Sequence, residues 1–386
     1  MAGIYLHIPF CRQACHYCDF HFSTSLKSKN EFLYSLKKEI FLHQEYLETK
    51  KINTVYFGGG TPSILSKDEL LEIFSQLSKY FSIDSDAEIT LEANPDDLSK
   101  QKLKELSHTP VNRLSIGIQS FSNEDLKFLN RVHDSSAAIA SVQNAQDAGF
   151  INITIDLIYG IQTLSTEQWK KNLEQAFALN VQHLSCYSLT VEPKTPLASF
   201  IKEGKMQDVS LEKSAEQFEI LMAEAKKNNF IHYEISNFGK DGFFSRHNSN
   251  YWKGEKYLGL GPSAHSFDGN SRQWNAKSNS VYINSLSQNK LPFEKEILTE
   301  NQKYNEYILT SLRTMWGIDL NYVRNTFGKE KEDYLLSQSN KYVLLGELML
   351  ITNSHNLSDG SQFRNISLSA RGKLFADKIA SDLFII

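Results

Sequence analysis

The chain has 386 residues, well beyond the roughly 150 of an ordinary single domain, so a large domain with a smaller companion is expected and a substantial core can form. Against 45 acidic residues stand 41 basic ones, a net charge of -4 with no long Lys/Arg block, which removes the electrostatic footing for general nucleic-acid binding. The opening MAGIYLHIPF lacks the basic start and long apolar run of a signal peptide, and no stretch approaches the roughly 18 apolar residues of a membrane span, so a soluble, cytoplasmic protein is expected.

In chain order, an apolar, β-branched strand is expected at 3–8, followed by a helix in which Phe32, Leu33, Leu36 and Ile40 share a face. A strand at 54–57 leads to a second amphipathic helix through Leu70, Ile73, Phe74, Leu77 and Phe81, whose start is marked by Ser66 and Glu69 in capping-box relation. Strands follow at 88–92, 113–118, 152–158 and 183–189, with Ser165 and Gln168 marking another helix start. Such alternation predicts a parallel sheet with helices outside, and a run as apolar as 153–158 suits burial on both faces. A closed eight-stranded barrel would need two more units. The expected fold is therefore α/β, a six-unit partial (β/α) TIM-type barrel over 1–230 with function at the carboxyl ends of its strands. Residues 231–297 turn aromatic and glycine-rich with little helical period, and read as a connecting region of ordered loops and short strands. Residues 298–386 read as a small α+β domain: helical spacing at Tyr304, Tyr307, Ile308 and Leu312, a strand-like YVLLGELMLI at 342–351, and a final ISLSARGKLFADKIASDLF.

Three of the four cysteines, Cys11, Cys15 and Cys18, lie within eight residues just after the first strand, which is not the spacing of a disulfide framework. A [4Fe-4S] cube ordinarily takes four thiolates. Three leave one iron open, a site that the amino and carboxylate groups of S-adenosylmethionine (SAM) can occupy. The alternative is zinc, which would want a fourth Cys or His; His16 is poorly placed for this beside Cys15. Cys186 falls in a strand pattern and reads as a buried thiol.

The C-x3-C-x2-C spacing, with Tyr5 ahead of it and Tyr17 before the last cysteine, resembles the radical SAM superfamily. The string Y-x-H-I-P-F-C, the GGGTP turn at 58–62 and IDLIYG at 155–160 are similar to the branch holding coproporphyrinogen III dehydrogenase and the HemW proteins, over nearly the whole chain. The resemblance implies a cluster on Cys11, Cys15 and Cys18, and SAM contacts from Tyr5, Tyr17, Gly59, Gly60, Thr61, Glu92, Gln119, Arg131 and Asp156. It places the methionine amino group at the glycine turn, which begins at Gly58, ribose hydroxyls at Glu92, the nucleoside at Gln119 and the SAM carboxylate at Arg131. Read alone, each has a plainer role: a tight turn, a surface carboxylate, a salt bridge. Asp156 is the exception, because an ionised group inside so apolar a strand needs a partner.

Two functions divide this branch. The dehydrogenase pattern carries a further Cys two residues after the third ligand, where this chain has Phe20, and an N-terminal extension, where this chain has four residues before Tyr5. His247, Asn248, Tyr251 and Trp252 match the H-N-x-x-Y-W motif that the resemblance assigns to heme binding. An imidazole is a common axial ligand of heme iron, and aromatic faces suit a porphyrin, although a lone His is more often structural and a Tyr/Trp pair more often core. His265 ranks second as a ligand; His7 is expected to pack beneath the cluster. The expected function is a heme chaperone with cluster, SAM and heme as cofactors, the alternative being radical decarboxylation of coproporphyrinogen III. The resemblance further implies heme-acceptor proteins of respiratory type, an electron donor for the cluster, and dimerisation.

Overall fold

Strand and helix alternate from the start of the computed structural model, which describes residues 2–356 and 362–385. In order come β1 (Ala2–Ile8), α1 (Lys29–Leu42), β2 (Lys51–Gly59), α2 (Lys67–Tyr80), β3 (Ser82–Ala93), α3 (Lys100–Leu106), β4 (Arg113–Gln119), α4 (Asn123–Phe128), α5 (Ser135–Asp147), β5 (Asn152–Tyr159), α6 (Thr166–Ala178) and β6 (His183–Ser188). These strands pair in parallel, each with the next. The protein is thus α/β, a six-unit partial barrel with a small α+β companion. Each strand turns alternate residues to opposite faces. Ile4, Leu6, Val55, Phe57, Leu91, Leu114, Ile155 and Leu157 are buried, and Phe57 meets Phe74 of α2 with ring centroids 5.4 Å apart. The intervening residues, among them Tyr5, Tyr56, Glu92, Ser115 and Asp156, share the other face and line the interior. Helix starts are set by side chains: Ser66 and Glu69 form both bonds of a capping box, and Ser165 accepts from the Gln168 amide.

After β6 come α7 (Pro196–Lys202), α8 (Leu211–Lys227), β7 (Ile231–Glu234), β8 (Asn237–Gly239), α9 (Arg246–Trp252), β9 (Tyr257–Leu260), β10 (His265–Phe267), β11 (Ser271–Asn275), α10 (Asn279–Ser287) and β12 (Phe293–Ile297). β9 runs parallel to β1 and extends the sheet outward as β12-β11-β10-β9-β1. The expectation of loops and strands alone over 231–297 is corrected by the two helices. α9 is one short stretch whose first amides are held by a distant carboxylate rather than by its own periodicity. α10 is capped by Ser278 and buries Tyr282 and Leu286, a single i, i+4 pair too brief to register as a period.

Among the described residues, 1–231, 238–247 and 255–296 form one compact unit; 232–237, 248–254 and 297–386 form a second. Within the second lie α11 (Glu300–Leu312), β13 (Ile318–Asp319), α12 (Leu320–Phe327), α13 (Lys329–Leu344), β14 (Leu348–Asn356), β15 (Gln362–Leu368) and α14 (Ala376–Asp382), with sheet order β13-β15-β14. Its core joins Tyr304, Ile308, Leu335, Ile366 and Ile379, and the buried Glu332 is paired by Arg324 and Arg364. The strand expected at 342–351 is corrected: its first three residues close α13, Gly346 turns the chain at φ +70°, and the strand begins at Leu348. Tyr342 follows Leu335 and Ser339 on the buried face of α13, and this helical spacing was masked by the apolar run that continues past the turn. Among the described residues, no helix is long and apolar enough to cross a membrane.

One buried carboxylate joins α1 to the β9–α10 segment. Glu39 accepts hydrogen bonds from the Gly261 amide (2.8 Å), Asn275 Nδ2 (2.6 Å) and Tyr282 Oη (2.5 Å). Glu39→Ala leaves the buried Gly261 amide and Tyr282 hydroxyl without this acceptor, so we expect a loss of about 3 kcal/mol, read as a lower urea midpoint at unchanged m-value. A midpoint equal to that of the parent would show the seam to be held by packing alone.

Candidate functional site

β1 ends at Ile8 and passes directly into the loop carrying Cys11, Cys15 and Cys18, all three half-buried. The loop is closed on itself, with the Cys11 amide on Ser23 O (3.0 Å) and the Ser23 amide on Pro9 O (2.9 Å). His7 reinforces that closure: it is buried, donates from Nε2 to His21 O (2.8 Å) and therefore accepts the Tyr5 hydroxyl at Nδ1 (3.1 Å). The far side of the loop is tied to the segment after β4. Asn130, held at φ +60°, donates to Ala14 O (2.7 Å), and His16 bonds Leu129 O through its amide (3.2 Å) and Phe128 O through Nδ1 (2.9 Å). His16 is thereby occupied as a structural residue.

Side chains from successive strand ends close over the thiols. Arg131 donates to Cys15 Sγ (3.2 Å), Asn94 Oδ1 (2.5 Å) and Gly117 O (2.8 Å). Thr61 is buried, donates to Cys11 Sγ (3.5 Å) and accepts from Asn94 Nδ2 (3.1 Å). Burial raises the Cys11 thiol against the opposing Thr61 hydrogen bond, and pushes Cys18 up to about 12. Burial likewise raises the Tyr17 phenol, which lies in the field of Arg131 and of Cys15 and Cys18.

The glycines of the 58–60 turn have distinct reasons. A Cβ at Gly60 would stand 2.6 Å from Phe10 O, and one at Gly59, where φ is +108°, 2.7 Å from the His7 ring. Those two therefore admit the cysteine loop and the end of β1 that leads into it. Gly58 faces inward, its Cβ position about equally close to Tyr5 and Tyr56 (3.0 Å) and to Glu92 Oε1 (3.1 Å). Glu92 accepts from Tyr56 Oη (2.8 Å) and the Gly59 amide (3.2 Å), and Asp156 accepts from Ser115 Oγ (3.3 Å). Neither carboxylate forms a salt bridge among the described residues, and burial pushes each up to about 7. Gln119 sits at φ +68°, and its buried Oε1 has no hydrogen-bond partner among the described residues.

The H-N-x-x-Y-W segment lies at a different level. α9 contains it, with His247 grouped in the larger unit and Asn248, Tyr251 and Trp252 in the smaller. The His247 ring is 2 % exposed and bonds Thr54 Oγ1 through Nδ1 (2.8 Å), while its amide and that of Arg246 donate to Glu88 (2.9 Å each). Burial, then the Arg113 charge, holds this imidazole down to about 3 and so neutral. Thr54 pairs with Gly3 at the amino end of β1, whereas the cysteines follow Ile8. Five strand residues separate those levels, about 16 Å at a rise of about 3.3 Å each. Asn248, Tyr251 and Trp252 are half-buried, and the Arg313 guanidinium stands 5.3 Å from the Trp252 ring centroid. His265 is exposed and stacks on Trp274 at 6.1 Å. Cys186 is buried.

The donor set fits the cofactors suggested by the loop. Three thiols with a guanidinium on one of them suit an iron-sulfur cluster bound through three thiolates, and an orphaned amide oxygen with two inward carboxylates suits a polar ligand bearing amino and hydroxyl groups. Among the described residues, no three His, Cys, Asp or Glu side chains gather as ligands of one metal ion. Asn94, Tyr56, Thr54 and Glu88 belong to this architecture and were not singled out in the sequence. Alternation from Gly58 back along β2 would have found Tyr56 and Thr54; nothing local marks Asn94 as the partner of Arg131.

The sequence profile of the radical SAM superfamily matches residues 5–176. The heme chaperone HemW of Bacillus subtilis is 33% identical over 383 residues, 98% of each chain, and that of Lactococcus lactis is 35% identical over 84% of each. Among solved structures, the radical SAM enzyme coproporphyrinogen III oxidase (HemN) of Escherichia coli superposes with a TM-score of 0.83 at 22% identity, covering 99% of this chain and 90% of that one, which shows the fold.

Glu92 and Asp156 make the cofactor-free fold sensitive to pH. Both titrate at about 7 when folded, above the ordinary carboxyl range of about 4, so the folded chain holds the protons more tightly. That stabilisation is present below the unfolded value and is lost as pH rises through the folded one. Asp156→Asn removes part of the loss, so the urea midpoint of the cluster-free variant relative to the parent should rise between about pH 5 and about pH 8. A difference that stays constant over this window would mean that Asp156 does not titrate there.

Proposed function

The chain belongs to the HemW family of the radical SAM superfamily, and from that membership we propose that it is a heme chaperone, binding heme and passing it to acceptor proteins. The likeness to HemW along the full chain carries this reading. In it, Cys11, Cys15 and Cys18 hold a [4Fe-4S] cluster whose open iron takes SAM. Bound together, the two supply one-electron reduction and carbon-sulfur cleavage of the sulfonium. The chain's own residues hold that pair in place. Arg131 and Thr61 donate to the cysteine sulfurs, Glu92 and Asp156 accept from ligand hydroxyl and amino groups, and Gln119 offers its orphaned amide oxygen. Tyr5 and Tyr17 shield the cluster side of the pocket, and Gly59 and Gly60 let the loop lie against β2.

Heme is assigned to the H-N-x-x-Y-W segment, with His247 as iron ligand and Asn248, Tyr251 and Trp252 beside it. This makes a physical demand, since the imidazole, 2 % exposed and packed on the Tyr56 ring, must leave that buried position to reach an iron. Work in the cytoplasm, respiratory heme acceptors, a low-potential electron donor and self-association complete the proposal. Radical decarboxylation of coproporphyrinogen III is the second reading, and Phe20, 67% exposed at the position of a further cysteine, speaks against it.

Anaerobic reconstitution of one preparation tests both. We expect charge-transfer absorbance of the cluster, a Soret band on adding heme, and no carbon dioxide from coproporphyrinogen III; decarboxylation at enzyme-like rates would overturn the chaperone reading. Cys15→Ala should abolish the cluster absorbance, and its survival would remove Cys15 from the ligand set. In His247→Ala the Soret band should shift or vanish while the cluster spectrum is retained.

A further inference from the structure

Three aromatic rings cluster inside the barrel. The His247 imidazole lies 4.9 Å from the Tyr56 ring at 25°, and Tyr5 flanks both, 6.1 Å from Tyr56 and 6.4 Å from His247, with planes within 28°. Room for the imidazole is cut into the wall. Gly3 faces it, and a Cβ there would stand 2.8 Å from Thr54 Oγ1 and 3.4 Å from the ring. The imidazole is anchored below by Thr54, and its backbone by Glu88. Above the cluster of rings, Tyr56 Oη donates to Glu92 Oε1, and the other carboxylate oxygen takes the Gly59 amide. A continuous set of contacts therefore runs from α9 to the carboxylate at the barrel mouth: imidazole, tyrosine ring, phenolic hydroxyl, Glu92.

We infer that His247 is a positioning residue for the SAM pocket, holding Tyr56 so that Tyr56 can hold Glu92, and that heme ligation by His247 and SAM binding therefore oppose one another. The competition rests on the heme reading above; the positioning role does not. While His247 is docked, Tyr56 is fixed by a stacked neighbour on its face and by Glu92 at its hydroxyl. An imidazole withdrawn to an iron leaves one face of Tyr56 without its ring partner, and Glu92 loses the constraint on its principal donor. Coupling between two ligands is reciprocal, so SAM must weaken heme by the factor with which heme weakens SAM. A docked His247 and a ligated His247 are two discrete arrangements, which is what such coupling requires.

The test separates the ring from its nitrogens. His247→Ala removes both, whereas His247→Phe keeps a stacked ring and removes the iron ligand. With the cluster reconstituted, we expect SAM to bind His247→Ala more weakly by roughly three- to tenfold, the range for loss of one aromatic pair, and His247→Phe about as well as the parent. In the parent, saturating heme should weaken SAM by a similar factor, and in His247→Phe heme should have no effect. A readout free of cofactors is amide exchange over 57–61 in the apoprotein, which should quicken in His247→Ala and not in His247→Phe. Should His247→Ala fail to fold, Thr54→Val loosens the same ring by removing its anchor and should shift SAM binding and exchange in the same direction.

Equal SAM affinity and equal exchange in the parent and His247→Ala overturn the positioning role. Heme that binds the parent and His247→Ala alike overturns His247 as ligand, and the competition with it, while the Ala and Phe comparison still decides positioning. A parent that binds no SAM overturns the cofactor reading, and the exchange measurement then decides positioning by itself.

Discussion

A barrel whose interior is polar has to satisfy that interior from its own wall, because groups shut away from water are costly unless they are paired. The lower interior meets part of this demand with one connected set. Arg113, 1% exposed, donates to Thr154 Oγ1 (2.5 Å) and stands 3.8 Å from Glu88. Thr154 meets the His183 ring at 3.1 Å, and Glu88 receives the first amides of α9. The helix is held where it is because a buried carboxylate needed donors. Its histidine is brought into the barrel by the same bond, and the group of aromatic rings above follows from that placement.

The upper interior is built differently. There the polar groups are left underpaired among the described residues: two inward carboxylates without a salt bridge, an orphaned amide oxygen on Gln119, and thiols raised by burial. Unpaired polar groups in a site with a cationic guanidinium on one side are a reservoir that a polar ligand can draw on. These groups lie at the carboxyl ends of the strands, the end at which parallel architectures place their ligands.

The cluster loop shows how much of such a site is made by its neighbours. The loop around Cys15 is tied to a segment more than a hundred positions away: Arg131 donates to Cys15 Sγ, Asn130 to Ala14 O, and His16 bonds Phe128 O. Glycines at 59 and 60 serve that docking, because any side chain there would strike Phe10 or His7. The turn was legible in the sequence as a ligand-approach motif; the structure assigns much of its need for glycine to protein meeting protein.

Several features were determined by the sequence alone, for a shared reason. The alternation of strand and helix, the Ser66 cap, the three-cysteine loop and the family are all written over short intervals, where period, spacing and capping act between neighbours. Their boundaries failed where a local pattern misled, as at 342–351, where an apolar run hid a glycine turn between helix and strand, and where none was long enough to register, as at α9 and α10. What the tertiary structure decided lies between distant residues. Glu39 finds Asn275 across 236 positions, and Thr54 finds His247 across 193. No periodicity records such a pairing, since its energy comes from burial that exists only once the barrel has closed. The H-N-x-x-Y-W motif could therefore be recognised from sequence, but the direction of its histidine, into the barrel and onto Tyr56, could be set only by the fold.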